Sequence, residues 1–336
     1  MSMDLTKRVC VIGDGGWGTT LSILLSRKGC SATMWGAFPD YIEMLKYHRE
    51  NIKFLPGVKI PEEVRITSEL GDAVAASAFV ILAVPSQYMR GILMRVKMLD
   101  TAGKVFVSVT KGIENSTLKT MSGLVAELLG ERPFAVLSGP TIALEVANGI
   151  PTNAVVASKS VELAKEMQEM FMTERFRVYT NSDLAGVELG GSLKNIIAIA
   201  AGVCDGLGFG TNAKAALLTR GIVEIARLGA AMGAQARTFY GLSGLGDLAT
   251  TCMSPYSRNR WLGEEIARGK KLNDILKETE MVVEGVATAR SAHELAKRHK
   301  VEMPITNEIY RVLYEGKDPR TAVRDLMTRS PKAEEY

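Results

Sequence analysis

The most constraining feature of this 336-residue chain is a glycine-rich segment close to its beginning. Gly13-Asp14-Gly15-Gly16-Trp17-Gly18 fits the pattern G-x-G-x-x-G, with Gly13, Gly15 and Gly18 in the glycine positions. It directly follows a short apolar run and directly precedes a helical pattern, the context that this motif requires. The first glycine permits a tight turn, the second lets the backbone approach a pyrophosphate, and the third lets helix and strand pack closely. The segment therefore predicts a dinucleotide site, with the phosphates at a helix N-terminus.

The first half of the chain alternates short β-branched runs with helical stretches, which is typical of a parallel sheet with crossover helices. The predicted strands are Arg8 to Ile12, Ser31 to Trp35, Phe79 to Val84, Val105 to Val109, Phe134 to Leu137, Asn153 to Ala157 and Phe176 to Tyr179. Predicted helices include Trp17 to Lys28, Leu118 to Leu129 and Val161 to Phe171. We expect the last two strands to extend the same sheet.

Strand signals disappear beyond about Asp183, and helical periodicity continues to the end of the sequence. The pattern predicts an α/β Rossmann-type nucleotide-binding domain over residues 1–188, followed by an all-α C-terminal domain over residues 189–336 that carries substrate and catalytic residues. We expect the ligands in the cleft between the two domains, where such sites commonly lie.

Composition argues against several classes of protein. The chain has 41 Lys and Arg against 37 Asp and Glu, so it lacks the dominant positive charge of a nucleic-acid binder. Its four cysteines show no C-x-x-C spacing, which predicts no metal, no disulfide framework and a reducing compartment. We expect no membrane span, since no stretch approaches about 20 apolar residues. The apolar run near the N-terminus is short, so we expect no signal peptide, and the predicted location is the cytoplasm.

Two polar motifs follow predicted strands. Thr110-Lys111-Gly112 directly follows the strand that ends at Val109, and Ser138-Gly139-Pro140-Thr141 directly follows the strand that ends at Leu137. Ligands of open α/β sheets bind at the carboxyl ends of the strands. We therefore expect Lys111 to project into a ligand site.

Three more polar motifs lie in the helical half. Lys194 and Asn195 follow a pair of glycines and precede an apolar run, which predicts that Lys194 lies at a helix start. Asp247 closes a glycine-rich turn, and Ser257-Arg258-Asn259-Arg260 concentrates hydrogen-bond donors. Taken singly, each has an ordinary interpretation: a snorkelling lysine, a helix N-cap and a surface loop.

Taken together, the motifs resemble the NAD(P)-dependent sn-glycerol-3-phosphate dehydrogenase family over essentially the whole chain. The segments that carry the resemblance are IGDGGWGTT, SVTKGIE, SGPTIALEVANGIPT, ELGGSLKNIIAIAAG, GTNAKAALLTRGIVE, GLSGLGDL, SRNRWLG and VVEGVATA. The family converts dihydroxyacetone phosphate and sn-glycerol 3-phosphate reversibly with NAD or NADP. The resemblance implies this activity, a role in glycerophospholipid synthesis and a homodimer.

The resemblance also implies a role for individual positions. Lys194 matches the general acid/base, with Lys111 and Asp247 beside it as catalytic residues. The implied substrate-binding residues are Lys111, Gly139, Thr141, Lys194, Asp247, Ser257, Arg258 and Asn259. Besides the three glycines of the motif, the implied cofactor-binding residues are Gly16, Trp17, Lys111, Ala143, Arg258, Val282 and Glu284.

These roles are chemically reasonable. Hydride transfer to a ketone carbon builds negative charge on the carbonyl oxygen, which a protonated lysine can stabilise and protonate. A carboxylate orients that ammonium, and a second lysine makes it hold its proton less tightly. Arginine with serine and asparagine donors suits a phosphate dianion.

The preference between NAD and NADP stays open at this point. The second strand ends at Trp35-Gly36-Ala37-Phe38, with neither the acid that binds ribose hydroxyls nor the arginine that accepts a 2′-phosphate. The nearest acid is Asp40. Asp14 stands where the family has a small neutral residue, and we expect it to point away from the pyrophosphate and leave binding unchanged. Ala37 lies near a position that is basic in many members, which weakens any claim of an NADP preference.

Two other functions fit parts of the pattern. A β-hydroxyacid or ketopantoate-type reductase has a similar domain plan and a catalytic lysine near an asparagine, but it binds a carboxylate substrate. A regulator that senses nicotinamide nucleotides would keep the glycine motif without the chemistry. It would not need Lys111, Lys194 and Asp247 together.

Overall fold

The computed structural model describes residues 7–334, so the outermost residues of the two predicted domains lie outside the described part. An eight-stranded sheet has the order β3-β2-β1-β4-β5-β6-β7-β8. Its strands are β1 (Arg8–Ile12), β2 (Ser31–Trp35), β3 (Arg65–Thr67), β4 (Phe79–Leu82), β5 (Val105–Ser108), β6 (Phe134–Ser138), β7 (Thr152–Ser158) and β8 (Phe176–Asn181). All neighbouring strands are parallel except β6 and β7, which are antiparallel.

Every predicted strand is present, and its ends agree with the prediction to within two residues. The sequence pattern does not predict β3, which has only three residues and lies at the edge of the sheet. It also predicts only parallel neighbours, whereas β7 runs antiparallel to β6, pairing Ser138 with Val155. The last two strands do extend the same sheet.

Within residues 7–183, seven α-helices accompany the sheet, and they cover both of its faces. They are α1 (Gly16–Arg27), α2 (Pro39–His48), α3 (Leu70–Ala75), α4 (Met89–Lys97), α5 (Met121–Leu129), α6 (Ala143–Ala147) and α7 (Val161–Phe171). Along β1, Val9 and Val11 pack in one buried cluster with α1 and α7, while Cys10 and Ile12 pack in another with α3, α4 and α5. Burial on both faces explains why these strands are continuous apolar runs.

Helix α5 begins later than predicted. The sequence predicts a helix from Leu118, but Leu118 has φ of 61°, in the left-handed region that interrupts a right-handed helix. The helix starts at Met121 and ends where predicted, with Gly130 at φ of 78° as its C-cap.

From Leu184 onward the described residues contain helices and no strand. The α-helices are α8 (Leu184–Gly206), α9 (Thr211–Ala231), α10 (Asp247–Met253), α11 (Arg258–Ala267), α12 (Leu272–Lys277), α13 (Glu284–His299), α14 (Pro304–Tyr314) and α15 (Pro319–Met327). The transition falls between β8 and α8. A domain division at residues 188 and 189 stays a prediction.

Helix α8 is long and apolar enough by composition to span a membrane, which the sequence analysis did not notice, but its burial is consistent with the expectation of no membrane span. Its 23 residues include a window of mean hydropathy 1.4, and that window is completely buried in the protein. The helix contacts α9, α10, α11 and α13. A helix surrounded by other helices is apolar on all sides, so burial in the core accounts for its composition.

Candidate active site

The glycine-rich turn joins β1 to α1 and has the geometry that a pyrophosphate requires. Gly13 has φ of 129°, and a Cβ there would lie 2.7 Å from the carbonyl oxygen of Ala83. A Cβ on Gly18 would overlap the carbonyl oxygen of Gly13, so helix and turn touch directly. Gly15 is the N-cap of α1 without a capping side chain, and a Cβ on it would meet nothing within 4 Å. The N-terminus of α1 is therefore accessible to phosphates, and the turn fits a dinucleotide.

Three of the other predicted cofactor residues, Gly16, Trp17 and Ala143, lie in α1 or against its start. Gly16 lies under the carbonyl group of Phe54, and Ala143 begins α6 with its carbonyl oxygen accepting a hydrogen bond from Thr20. Trp17 packs against the core of the sheet, and its indole Nε1 is buried without a hydrogen-bond partner among residues 7–334. Val282 is exposed just before α13.

Glu284 connects the helical part to the sheet. It begins α13, and its carboxylate accepts hydrogen bonds from the backbone N–H of Ser86 (2.8 Å) and from the Ser86 hydroxyl (2.5 Å). Ser86 lies in the loop after β4, at the carboxyl edge of the sheet. Burial raises the pKa of Glu284 above its ordinary value, while Ser86 and Arg258 oppose the shift. Glu284 thus holds the loop after β4 beside the glycine-rich turn.

Two lysines share one buried carboxylate. Lys111 follows β5, and its Nζ lies 2.7 Å from Asp247 Oδ2, 2.8 Å from the Gly139 carbonyl oxygen and 3.2 Å from Thr141 Oγ1. Lys194 Nζ lies 2.5 Å from Asp247 Oδ1. One carboxylate therefore joins the edge of the sheet to α8. The two positive charges compensate Asp247, which is only 1% exposed.

Lys194 lies inside α8, contrary to the prediction that it starts a helix. The helix begins at Leu184 and contains both glycines that suggested a boundary. A Cβ on Gly190 would lie 2.7 Å from the Ser243 carbonyl oxygen, and one on Gly191 would lie 2.5 Å from Ser138 Oγ. These glycines allow close packing against neighbouring loops, so they do not end the helix.

Burial controls the protonation of Lys194. The residue is 6% exposed, and desolvation lowers the pKa of its ammonium to about 8. Asp247 opposes this shift and Lys111 adds to it. Its Nζ also lies 2.5 Å from the hydroxyl of Thr251. A lysine with a pKa of about 8 can give up and regain a proton close to neutral pH, as an acid/base catalyst must.

The polar motif at the start of α11 has three different environments. Ser257 is the N-cap of the helix, and its hydroxyl accepts a hydrogen bond from the Arg260 N–H. Asn259 is buried: its Nδ2 donates to Asn195 Oδ1, and its Oδ1 accepts from the Gly285 N–H, both at 2.9 Å. Arg258 is exposed and has no hydrogen bond or ion pair with any of residues 7–334, although Glu284 acts on its charge. The motif therefore presents one guanidinium that is available to an anion.

Thr251 and Ser86, which the sequence analysis passed over, belong to this site, and so does Asn195, which was named there only as part of a motif. Thr251 lies four positions after Asp247 on α10, a spacing that places both on one helix face and could have identified it. Asn195 donates a hydrogen bond to the Lys111 carbonyl oxygen at 3.2 Å. Ser86 follows β4, so the same edge rule that identified Lys111 applies to it.

Comparisons with known proteins agree over the full length. The family model described as NAD-dependent glycerol-3-phosphate dehydrogenase N-terminus matches residues 8–164, and the C-terminus model matches residues 183–324. A protein of Chlorobium limicola named glycerol-3-phosphate dehydrogenase [NAD(P)+] is 47% identical over 98% of this chain and 99% of its own. The protein of the same name from Carboxydothermus hydrogenoformans is 50% identical over 97% of this chain and 98% of its own.

Solved structures give the same result. The glycerol-3-phosphate dehydrogenase of Coxiella burnetii superimposes with a TM-score of 0.94 at 37% identity, covering 97% of this chain and 100% of its own. A ketopantoate reductase from Ralstonia eutropha has a TM-score of 0.60 at 13% identity, covering 94% and 99%, and this likeness is one of fold alone. With both halves matched, the chain belongs to the NAD-dependent glycerol-3-phosphate dehydrogenase family.

Proposed function

We propose that the cleft between the sheet and the helices interconverts dihydroxyacetone phosphate and sn-glycerol 3-phosphate, with Lys194 as general acid/base. The observation that carries this assignment is the bridge of Asp247 between Lys194 and Lys111. The chain is an NAD(P)-dependent oxidoreductase by family, and the nicotinamide, when bound, supplies or accepts the hydride at the substrate carbon. The remaining chemistry is the handling of one proton and one phosphate.

The proton is the task of Lys194. In the direction of reduction, its N–H bond breaks as the O–H bond of the new alcohol forms, so the growing negative charge on oxygen is neutralised. In the direction of oxidation, the neutral amine accepts the same proton. Asp247 and Thr251 fix the position of Nζ through their contacts at 2.5 Å. Lys111, held by Gly139 and Thr141, adds positive charge near the same oxygen.

The N-terminus of α11 binds the substrate phosphate. Arg258 presents its guanidinium, and the N-terminus of α11 contributes a favourable dipole. Asn259 binds Asn195, which binds the backbone of Lys111, so α11 is attached to the lysine pair. We assign Ser257, Arg258 and Asn259 to the phosphate, with Asn259 acting chiefly through this attachment.

Arg258→Ala should raise the KM for dihydroxyacetone phosphate about 10- to 100-fold with little change in kcat, since a hydrogen bond to a charged group contributes about 1.5–3 kcal/mol. Steady-state kinetics checks this. The matched control is Arg268→Ala at the other end of α11, where the arginine is 58% exposed and pairs with Glu264 and Glu265. If the KM of Arg258→Ala equals that of the wild type, Arg258 does not bind the substrate phosphate.

The rate should depend on pH in opposite ways for the two directions. Reduction requires protonated Lys194, so its kcat/KM should fall as the pH rises above about 8. Oxidation requires the neutral amine, so its kcat/KM should rise up to the same pH and then level off. Both profiles are measured by nicotinamide absorbance at constant ionic strength. If kcat/KM for reduction does not change with pH through this range, Lys194 is not the proton donor.

A substrate panel tests the function itself. Purified protein with NADH and NADPH should reduce dihydroxyacetone phosphate, and neither ketopantoate nor the oxidised form of hydroxyisobutyrate should be reduced at a comparable rate. Preferential turnover of ketopantoate would establish the alternative reductase. Binding of nucleotide without turnover of any substrate would indicate a sensing regulator.

Several wider expectations belong to this proposal. Residues 1–188 would bind the nucleotide, and residues 189–336 would supply the substrate site. The family suggests a homodimer, and the exposed first half of α9, with its run of alanines and leucines, is suited to pairing. Activity in the cytoplasm, supplying glycerophospholipid synthesis, completes the proposal.

A further inference from the structure

The glycine-rich turn contains a carboxylate in an unusual position. Asp14 Oδ2 is buried and has no hydrogen-bond partner among residues 7–334. It lies directly against Gly36, because a Cβ built on Gly36 would overlap this oxygen. The side chain is therefore directed across the turn towards the end of β2. Its Oδ2 is enclosed by protein and does not face solvent.

The end of β2 is where a Rossmann fold distinguishes its nucleotides. An acid at this place accepts hydrogen bonds from the adenosine ribose, and a basic residue there favours a 2′-phosphate. Gly36 directly follows β2 and has no side chain, and Ala37 is exposed and neutral. The carboxylate of Asp14 thus lies where the acid of β2 would lie, although it comes from the end of β1.

The position of Asp14 is fixed by its backbone. Asn51 is fully buried, and its Nδ2 donates to the Asp14 carbonyl oxygen at 2.7 Å. Gly13 on one side is confined by the Ala83 backbone. Burial raises the pKa of Asp14, while its own backbone N–H and the charge of Lys53 oppose the shift. Asp14 as a residue is only half-buried, so its second oxygen, Oδ1, is the one that ribose hydroxyls can reach.

The positive charge of Lys53 acts on Asp14. Lys53 lowers the pKa of Asp14 by its charge, and a lysine ammonium also attracts phosphates. Its ammonium is already ion-paired with Glu280 and lies over the rings of Tyr41 and Phe54, at 5.7 and 5.1 Å from their centroids. The charge of Lys53 is therefore compensated by Glu280, and the carboxylate of Asp14 is the charged group next to Gly36.

We propose that Asp14 takes the place of the missing acid of β2 and makes the site selective for NAD(H) over NADP(H). Its carboxylate accepts hydrogen bonds from the adenosine ribose hydroxyls and repels a 2′-phosphate. The inference rests on the proposed cofactor site and adds a nucleotide preference to it. NADH gains up to two charge-assisted hydrogen bonds from Asp14, whereas the 2′-phosphate of NADPH is repelled by it. NADH should therefore bind about 10- to 100-fold more tightly than NADPH.

Isothermal titration calorimetry with NADH and with NADPH, in the absence of substrate, tests this preference. The variants are Asp14→Ala, Asp14→Asn and, as a matched control, Asp40→Asn, which removes the first exposed acid after β2 in the sequence. Asp14→Ala should weaken NADH at least about 10-fold and leave NADPH unchanged or tighter. Asp14→Asn should tighten NADPH because the repulsion is lost. Asp40→Asn should keep the wild-type ratio of the two dissociation constants.

The result that overturns the inference is a ratio of dissociation constants in Asp14→Ala equal to that of the wild type. A change in the ratio on Asp40→Asn instead would assign discrimination to Asp40. Both results leave the proposed function intact if the wild type reduces dihydroxyacetone phosphate, whereas wild-type protein that binds neither nucleotide would contradict the function. A thermal unfolding measurement shows whether the variant is folded. Asp14→Ala should unfold at or above the wild-type temperature, because the substitution removes a carboxylate oxygen that is buried without a hydrogen-bond partner.

Discussion

Lys194→Ala should lower kcat for the reduction of dihydroxyacetone phosphate by about 10²–10⁴-fold, the contribution of a positioned proton donor. NADH binding should be nearly unchanged, because Lys194 is not among the residues predicted to bind the cofactor. The loss arises in the transition state, so kcat and kcat/KM should fall together. Steady-state kinetics and calorimetric titration of NADH measure the two effects separately.

The control for this variant must separate chemistry from packing. Lys194 is buried in α8, so its truncation also removes packed methylenes. Lys194→Met keeps most of that volume without the proton and should be as inactive as the alanine variant. Lys297→Ala, at a lysine that is 61% exposed on α13, should be fully active. A Lys194→Met enzyme with near wild-type turnover would show that Lys194 is no acid.

Asp247→Asn should have the largest effect on stability. It leaves the ammonium groups of Lys111 and Lys194 close together without a counter-charge, and breaking a buried ion pair costs about 3–5 kcal/mol of the free energy of unfolding. Activity should also fall, because Asp247 is the group that raises the pKa of Lys194. Urea unfolding near neutral pH, together with turnover, measures both.

The pH dependence of this loss makes the prediction specific. In the variant, Lys194 should lose its proton at a lower pH than in the wild type. The difference in unfolding free energy between the two proteins should therefore shrink as the pH rises towards about 8 and stay constant above it, where the amine is neutral in both. Asp274→Asn, at an acid that is 63% exposed and pairs with Lys277, should change stability by less than about 0.5 kcal/mol. An Asp247→Asn protein as stable as the wild type near neutral pH would contradict the proposed electrostatic balance.

Much of the fold could be predicted from the sequence because its signals are local. The apolar runs of β1 and β2 are buried on both faces, so their bounds match the predicted strands. The direction of β7 could not be predicted, because a strand has the same pattern of residues whichever way it runs. Likewise β3 has only three residues, too few for alternation to show.

The sequence predicted part of the active site, because the position of a residue after a strand indicates where its side chain lies. Lys111 follows a strand, so the edge rule for parallel sheets places it without further information. Lys194 was misplaced because glycines near it indicate close packing as readily as a helix end. The contacts of Asn259 with Asn195, and of Glu284 with Ser86, join residues far apart in the chain and leave no local pattern. Only the resemblance to a family indicated that these positions work together.

The most direct test of the central claim is the pH profile of kcat/KM for reduction of dihydroxyacetone phosphate by Lys194→Ala, compared with that of the wild type. The wild-type profile should fall above about pH 8, and the residual activity of the variant should show no such fall. A variant that retains the same decline would mean that another group titrates there, and the proton would not come from Lys194.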